Sequence, residues 1–120
     1  MRMYVILRGD IEMTPGKAAA QAGHGYKLLT RELIKTYPYL EPVYFADGIG
    51  TNVTLVAKDF DTLQFIWEQL QAIDAPKAVV TDEGHIHPPH FDGSPITTAI
   101  AIGPVYKEDM PISVQRLPLY

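Results

Sequence analysis

Apolar and polar positions along the chain change period several times, and each change marks an element. Residues 3–8 form a β-rich apolar run that ends at Gly9-Asp10, which predicts a buried first strand feeding a loop. From residue 15 to about residue 37 the spacing turns helical. At about 100° per residue, Ala18, Ala22, Tyr26, Leu29 and Leu33 share one face. Lys17, Gln21, His24, Leu28, Arg31 and Lys35 fall on a mainly basic stripe opposite, with Lys27 at its edge. A second apolar run covers 51–57. Asp59 then stands where it can cap a helix over 60–73, in which Leu63, Ile66, Trp67 and Leu70 recur at helical spacing as core positions. Residues 77–81 and 96–102 predict two more strands. Gly103-Pro104 is expected to break the last of them before a short helical turn near 107–110.

Strands alternating with long helices predict an α/β sheet covered by helices, in which sites gather at the carboxyl ends of strands. Two segments resist the scheme. Residues 38–50, with three aromatics, two prolines and Asp47-Gly48, read as a structured loop or short hairpin rather than a linker, and 82–95 is the other.

Composition narrows the classes. The 120 residues predict a single domain over 1–120, and 47% hydrophobic with 20% charged residues is ordinary for a folded chain. There are no cysteines, so disulfides, thiol nucleophiles and cysteine-ligated metals are excluded. No apolar run is long enough for a signal peptide or a membrane span, which predicts a cytoplasmic protein with no membrane partner. The formal net charge of −4 argues against indiscriminate polyanion binding but leaves room for the local basic stripe on the first helix. The aromatic 38–50 segment and the apolar tail Leu117-Pro118-Leu119-Tyr120 make a homodimer plausible, although terminal apolar residues more often pack on their own domain.

One position breaks the rules of helix starts. Thr14 can cap the first free N–H groups and Pro15 suits the first helical position. The capping-box slot three residues after the cap, which favours Glu or Gln, holds Lys17. A cation there loses roughly 0.3–1 kcal/mol against the helix dipole. The bland explanation is a lysine bending back to water or toward Asp10 or Glu12; the sharper one is a helix start that serves a phosphate or a developing oxyanion. Small Ala18, Ala19 and Ala22 would let this end of the helix lie close to a sheet.

Asp82 follows the third strand at its carboxyl end. If the first and third strands run parallel, Asp82 and Lys17 share one sheet edge and could pair across a water, a minimal hydrolytic site. Spacing alone favours the alternative, a turn residue capping local backbone. His85, His87 and His90 meet no established metal-ligand spacing, and Glu12, Asp82 and Glu83 are only a weak carboxylate set for magnesium. No G-x-S-x-G elbow, P-loop or G-x-G-x-x-G sequence occurs.

Leu7-Arg8-Gly9-Asp10, Met13, Gly16-Lys17, Ala19-Ala20-Gln21 and His24, then Thr81-Asp82-Glu83-Gly84, then Thr98 with Ala101-Ile102-Gly103-Pro104, together resemble the second family of peptidyl-tRNA hydrolases. The resemblance spans most of the chain, in order. It implies a small α/β/α domain that cleaves the ester between a peptide and the 3′ ribose of tRNA without a metal cofactor. Carried over, it implies that Lys17, Asp82 and Thr98 lie in the active site with Gln21 and His24 beside them. Lys27, Arg31 and Lys35 would meet tRNA phosphates. The chain departs from the family pattern after Asp-x-Gly. There the family usually continues Arg-Thr-Gln, and this chain has His85-Ile86-His87 and extra residues through Pro88 to Ser94. Ile86 cannot supply the family threonine's hydroxyl, so His85 and His87 become candidates for a replacing role.

The combined expectation is a single three-layer α/β/α domain with a mixed, mostly parallel four- to five-stranded sheet. Its expected activity is hydrolysis of peptidyl-tRNA. Two other readings predict different behaviour. A tRNA- or protein-binding module on the same fold would bind without turnover, and a related hydrolase acting on another acyl ester or using a histidine-bound metal would lose activity to chelators.

Overall fold

The alternation along the first strand decides the layers. In the computed structural model β1 (Arg2–Arg8) is buried on both faces: Met3, Val5 and Leu7 point to one side, Tyr4 and Ile6 to the other. The structure describes residues 1–83 and 95–120, together with the backbone of Ile86–His87 and Phe91–Asp92. On the first side lies α1 (Pro15–Thr36), whose Ala18, Ala22, Leu29 and Leu33 pack on Met3, Val5 and Leu7. On the second lies α3 (Phe60–Leu70), whose Leu63, Ile66 and Leu70 join Tyr4 and Ile6. Between these helices come a 3-10 turn (Pro38–Leu40), the short α2 (Glu41–Tyr44) and β2 (Asn52–Ala57). The 38–50 segment is therefore helical where it is regular, and the hairpin alternative is overturned. Pro38 and Pro42 each stand at the start of a helical turn, where a missing N–H costs no bond.

The chain continues with β3 (Lys77–Asp82), a short antiparallel pair of β4 (Ile86–His87) and β5 (Phe91–Asp92), and β6 (Ile96–Val105). A 3-10 turn (Lys107–Asp109) and α4 (Ile112–Gln115) close it. The four-stranded sheet has the order β2-β1-β6-β3. Its pairings correct the mostly parallel expectation: β1 and β2 are parallel, but β6 runs antiparallel to both β1 and β3. Among the described residues no helix lies between β3 and β6, and β6 returns antiparallel alongside β3 instead of crossing over. Because β1 and β3 both oppose β6, they point the same way, and their carboxyl ends share one end of the sheet.

Gly103-Pro104 does not break the last strand, which continues to Val105. Gly103 takes φ +132°, and a Cβ there would come within 2.5 Å of the Arg2 carbonyl oxygen. The glycine lets β6 shift register against β1 between Tyr4↔Ile102 and Arg2↔Val105 and keep pairing. Close packing of α1 has a similar cause. At Gly25 an added Cβ would meet Val5 Cγ2 at 2.7 Å, and the β6 residues beneath the helix are the small Ala99 and Ala101. Ala19, expected to help, is exposed. Asp59 caps α3 as the pattern predicts: its carboxylate accepts from the Thr62 N–H at 2.8 Å, which holds its pKa below the ordinary value.

Candidate active site

The start of α1 forms as its residues dictate. Thr14 Oγ1 accepts from the Lys17 backbone N–H at 3.2 Å, Pro15 opens the helix, and the first turn holds no acidic residue. Lys17 is thereby fixed on rigid backbone just beyond the carboxyl end of β1. Asp82 closes β3 at the same end of the sheet. The two side chains meet directly, Lys17 Nζ donating to Asp82 Oδ2 at 2.6 Å rather than across a water. With side-chain exposures of 16% and 17%, the pair is largely withdrawn from solvent while keeping an open side.

Thr98 reaches this neighbourhood through an irregularity. Along β6, Ala99 and Ala101 face α1 while Ile100 and Ile102 face α3, so strict alternation would turn Thr98 toward α3. The pairing to β3 shifts from Val80↔Ala99 to Thr81↔Thr97, which leaves Thr98 as the extra residue of a β-bulge. The bulge re-aims it. Thr98 Oγ1 donates to Gln21 Oε1 on α1 at 2.6 Å and also approaches the Val80 carbonyl oxygen at 3.4 Å. Thr98 is fully buried at 0% exposure and Gln21 nearly so at 2%. Gln21 therefore lies on the sheet-facing side of α1, not on the exposed basic stripe where helical spacing put it.

The remaining candidates divide by exposure. His24, Lys27, Arg31 and Lys35 are all exposed along α1. His24, Lys27 and Leu28 line one wall of a cleft whose other wall is residues 79–81 of β3. His85 and His90 lie outside the described residues, and of Ile86 and His87 only the backbone is described, opposite Asp92 and Phe91. The proposed replacement of the family threonine thus falls outside the described residues. Among the described residues, no group of three or more His, Asp or Glu side chains gathers in metal-binding geometry.

Sequence reasoning did not single out Arg8. Its guanidinium makes a two-point contact with Asp10, at 3.1 and 2.9 Å, and donates to the Thr97 carbonyl oxygen at 3.1 Å. It also stacks 4.9 Å over the Phe60 ring. Arg8 thereby ties the carboxyl end of β1 to the residue beside the bulge. The visible signal was the opposite charges of Arg8 and Asp10 flanking Gly9 at a strand end.

Chemically, the arrangement joins a carboxylate able to hold and deprotonate a water with an ammonium able to stabilise negative charge on oxygen. Comparison with known proteins points the same way. The family model described as Peptidyl-tRNA hydrolase PTH2 matches residues 1–120. A curated peptidyl-tRNA hydrolase of Pyrobaculum aerophilum is 32% identical over 123 aligned positions, covering 100% of this chain and 98% of that protein.

Proposed function

This chain belongs to the peptidyl-tRNA hydrolase PTH2 family, and from that premise we propose how its residues divide the work of the reaction. The protein is an ester hydrolase that acts on peptidyl-tRNA, releasing peptide and tRNA. The observation that carries the assignment of roles is the Lys17–Asp82 contact of 2.6 Å at the shared carboxyl end of β1 and β3.

Asp82 holds the attacking water and takes its proton as the oxygen bonds to the ester carbonyl carbon. Negative charge develops on the carbonyl oxygen. The Lys17 ammonium stabilises it; an ammonium carries three donors, so it can hold Asp82 and reach the oxyanion together. Collapse of the tetrahedral intermediate breaks the bond to the ribose oxygen, which leaves with the proton that Asp82 returns. Thr98 and Gln21, both buried, are positioning residues: their hydrogen bond locks α1 against the bulge and sets the height of Lys17 above Asp82. His24 lines the cleft between α1 and β3, and Lys27, Arg31 and Lys35 offer a basic stripe to tRNA phosphates. No metal enters this scheme. Among the described residues no helix is long and apolar enough to cross a membrane, and a place in the cytoplasm fits a translation-related family.

The test is turnover of N-acyl-aminoacyl-tRNA by the wild type, with and without chelator. Hydrolysis that persists with chelator and is lost in Asp82→Asn supports the assignment; saturable binding without turnover sinks it.

A further inference from the structure

The two edges of the sheet are finished differently. Beside β2, the C-terminal tail completes the edge: the Val56 N–H donates to the Pro118 carbonyl at 3.1 Å, the Tyr120 N–H donates to the Thr54 carbonyl at 3.1 Å, and Leu55 bridges Leu119. The opposite edge, β3, has no such cover among the described residues.

The phase of its free groups follows from the ladder. Gly103 N–H donates to the Pro76 carbonyl, so Pro76 and Gly103 form a hydrogen-bonded pair. Alternation through the unbroken register Lys77↔Ile102 to Val80↔Ala99 then turns the backbone groups of Ala78 and Val80 toward β6. Those of Lys77 and Val79 face outward. Exposed edges are ordinarily blunted by lysines or prolines. Here the one lysine is turned away, its ammonium donating to the Ile73 and Ala75 carbonyls, and Val79 is 41% exposed with no charge before Asp82. Two clefts flank the edge. One of about 480 Å³ carries His24, Lys27 and Leu28 on the α1 side; one of about 170 Å³ carries Phe60, Gln64 and Trp67 on the α3 side.

We propose that the open edge of β3 receives the peptidyl part of the substrate as an added parallel strand, delivering its terminal ester carbonyl to Lys17 and Asp82. The inference rests on the hydrolytic reading above. Direction follows from the fold. β3 ends at Asp82, and the scissile ester is at the carboxyl end of the peptide, so only a parallel strand brings the ester to the site. Chemistry favours the same occupant, because a hydrolase of peptidyl-tRNA meets peptides of every sequence and backbone pairing is the recognition that ignores side chains. Successive side chains of the added strand would alternate between the two clefts, neither of which is an enclosed pocket for one residue type.

The geometry sets a length. Val79 precedes Asp82 by about 10 Å of strand, so the outward Val79 groups meet the substrate about three residues before the ester. The experiment measures kcat/KM for N-acetyl-aminoacyl-tRNA, for tetra- and hexapeptidyl-tRNA, and for tetrapeptidyl-tRNA N-methylated at successive positions. Wild-type kcat/KM should rise roughly fivefold for each backbone hydrogen bond made, and level off by the hexapeptide. Methylation should lower it at alternate positions only. Val79→Pro removes the outward N–H but no bond to β6, and should lower the tetrapeptide-to-acetyl ratio about fivefold.

Equal kcat/KM for acetyl and tetrapeptidyl substrates, or loss on methylation without alternation, overturns the proposal while leaving the hydrolase assignment intact. If wild type cleaves neither substrate, the hydrolytic reading itself fails and this one with it. If Val79→Pro converts a dimer to a monomer with the length ratio unchanged, the edge belongs to a second copy and the proposal is overturned.

Discussion

Replacing Lys17 by Met keeps most of the apolar stem of the side chain and deletes its ammonium, removing that charge from Asp82, which is 17% exposed beside it in the wild type. Truncating one partner of a fully buried pair costs about 3–5 kcal/mol, whereas exposed pairs contribute only about 0.2–1. At 2.6 Å and roughly five-sixths withdrawn from water, this pair falls between, at about 2 kcal/mol. A 120-residue chain has an unfolding entropy of about 0.25 kcal/mol/K, so Tm should fall by about 8 °C. Asp82→Asn alone should also lower Tm, and the cost of the double variant Lys17→Met/Asp82→Asn should be well below the sum of the two singles, since each single removes the same contact. Activity behaves differently. Loss of the oxyanion-stabilising cation should lower kcat about 10²- to 10³-fold, and the double variant should be scarcely slower than the slower single, because the two groups act as one unit. The assays are thermal unfolding of the four proteins and single-turnover hydrolysis of N-acyl-aminoacyl-tRNA. Lys17→Met with kcat within threefold of wild type refutes the catalytic reasoning. A Tm change under about 2 °C refutes the electrostatic reasoning, since the pair would then behave as a solvent-screened surface contact.

Two glycines on α1 should respond with opposite signs. Gly23 has open space where a Cβ would go, so Gly23→Ala should raise stability by up to about 1 kcal/mol. Gly25→Ala gains the same helix propensity but drives a Cβ to 2.7 Å from Val5, an overpacking of roughly 1–3 kcal/mol, so calorimetry should show a net loss. For the basic stripe, Lys27→Ala, Arg31→Ala and Lys35→Ala should each raise KM for tRNA substrates and reduce the slope of its salt dependence by roughly one ion, with kcat little changed. Tyr37 donates to Asp74 Oδ1 at 2.8 Å, and that bond to a carboxylate pushes its pKa up to about 12. The folded state therefore holds this proton more tightly than the unfolded state, whose tyrosine ionises near 10. The stability it supplies is complete below pH 10 and lost as pH rises toward 12. The Tm difference between wild type and Tyr37→Phe should shrink across that window, and a constant difference would contradict the assignment.

Much of this was legible in one dimension because it is local. The helical spacing of Ala18, Ala22, Leu29 and Leu33 finds its buried face in α1, and Leu63, Ile66 and Leu70 find theirs in α3. The caps at Thr14 and Asp59 stand where their side chains predict, since a cap bonds residues three positions away. Lys17 stood out for the same reason: a helix start has known electrostatic preferences, and a cation violates them. The tail was legible in part: it packs on its own domain, as terminal apolar residues more often do, but Leu119 is 74% exposed and it is the backbone that pairs with β2, which composition does not register.

What the residues alone determined, then, is the four strands of the sheet and the two long helices, the two apolar faces and the charge at the start of α1, all governed by contacts within a few positions. What only the tertiary structure decided is which elements lie side by side. Antiparallel β6 between β1 and β3 makes those two strands point the same way and brings Asp82 to Lys17, 65 positions distant in sequence. The bulge at Thr98 belongs to the pairing with β3, not to β6 by itself, and it alone turns the hydroxyl from the α3 face to Gln21. Strand register is a property of two chains of hydrogen-bonding groups at once, so no periodicity within one strand can state it.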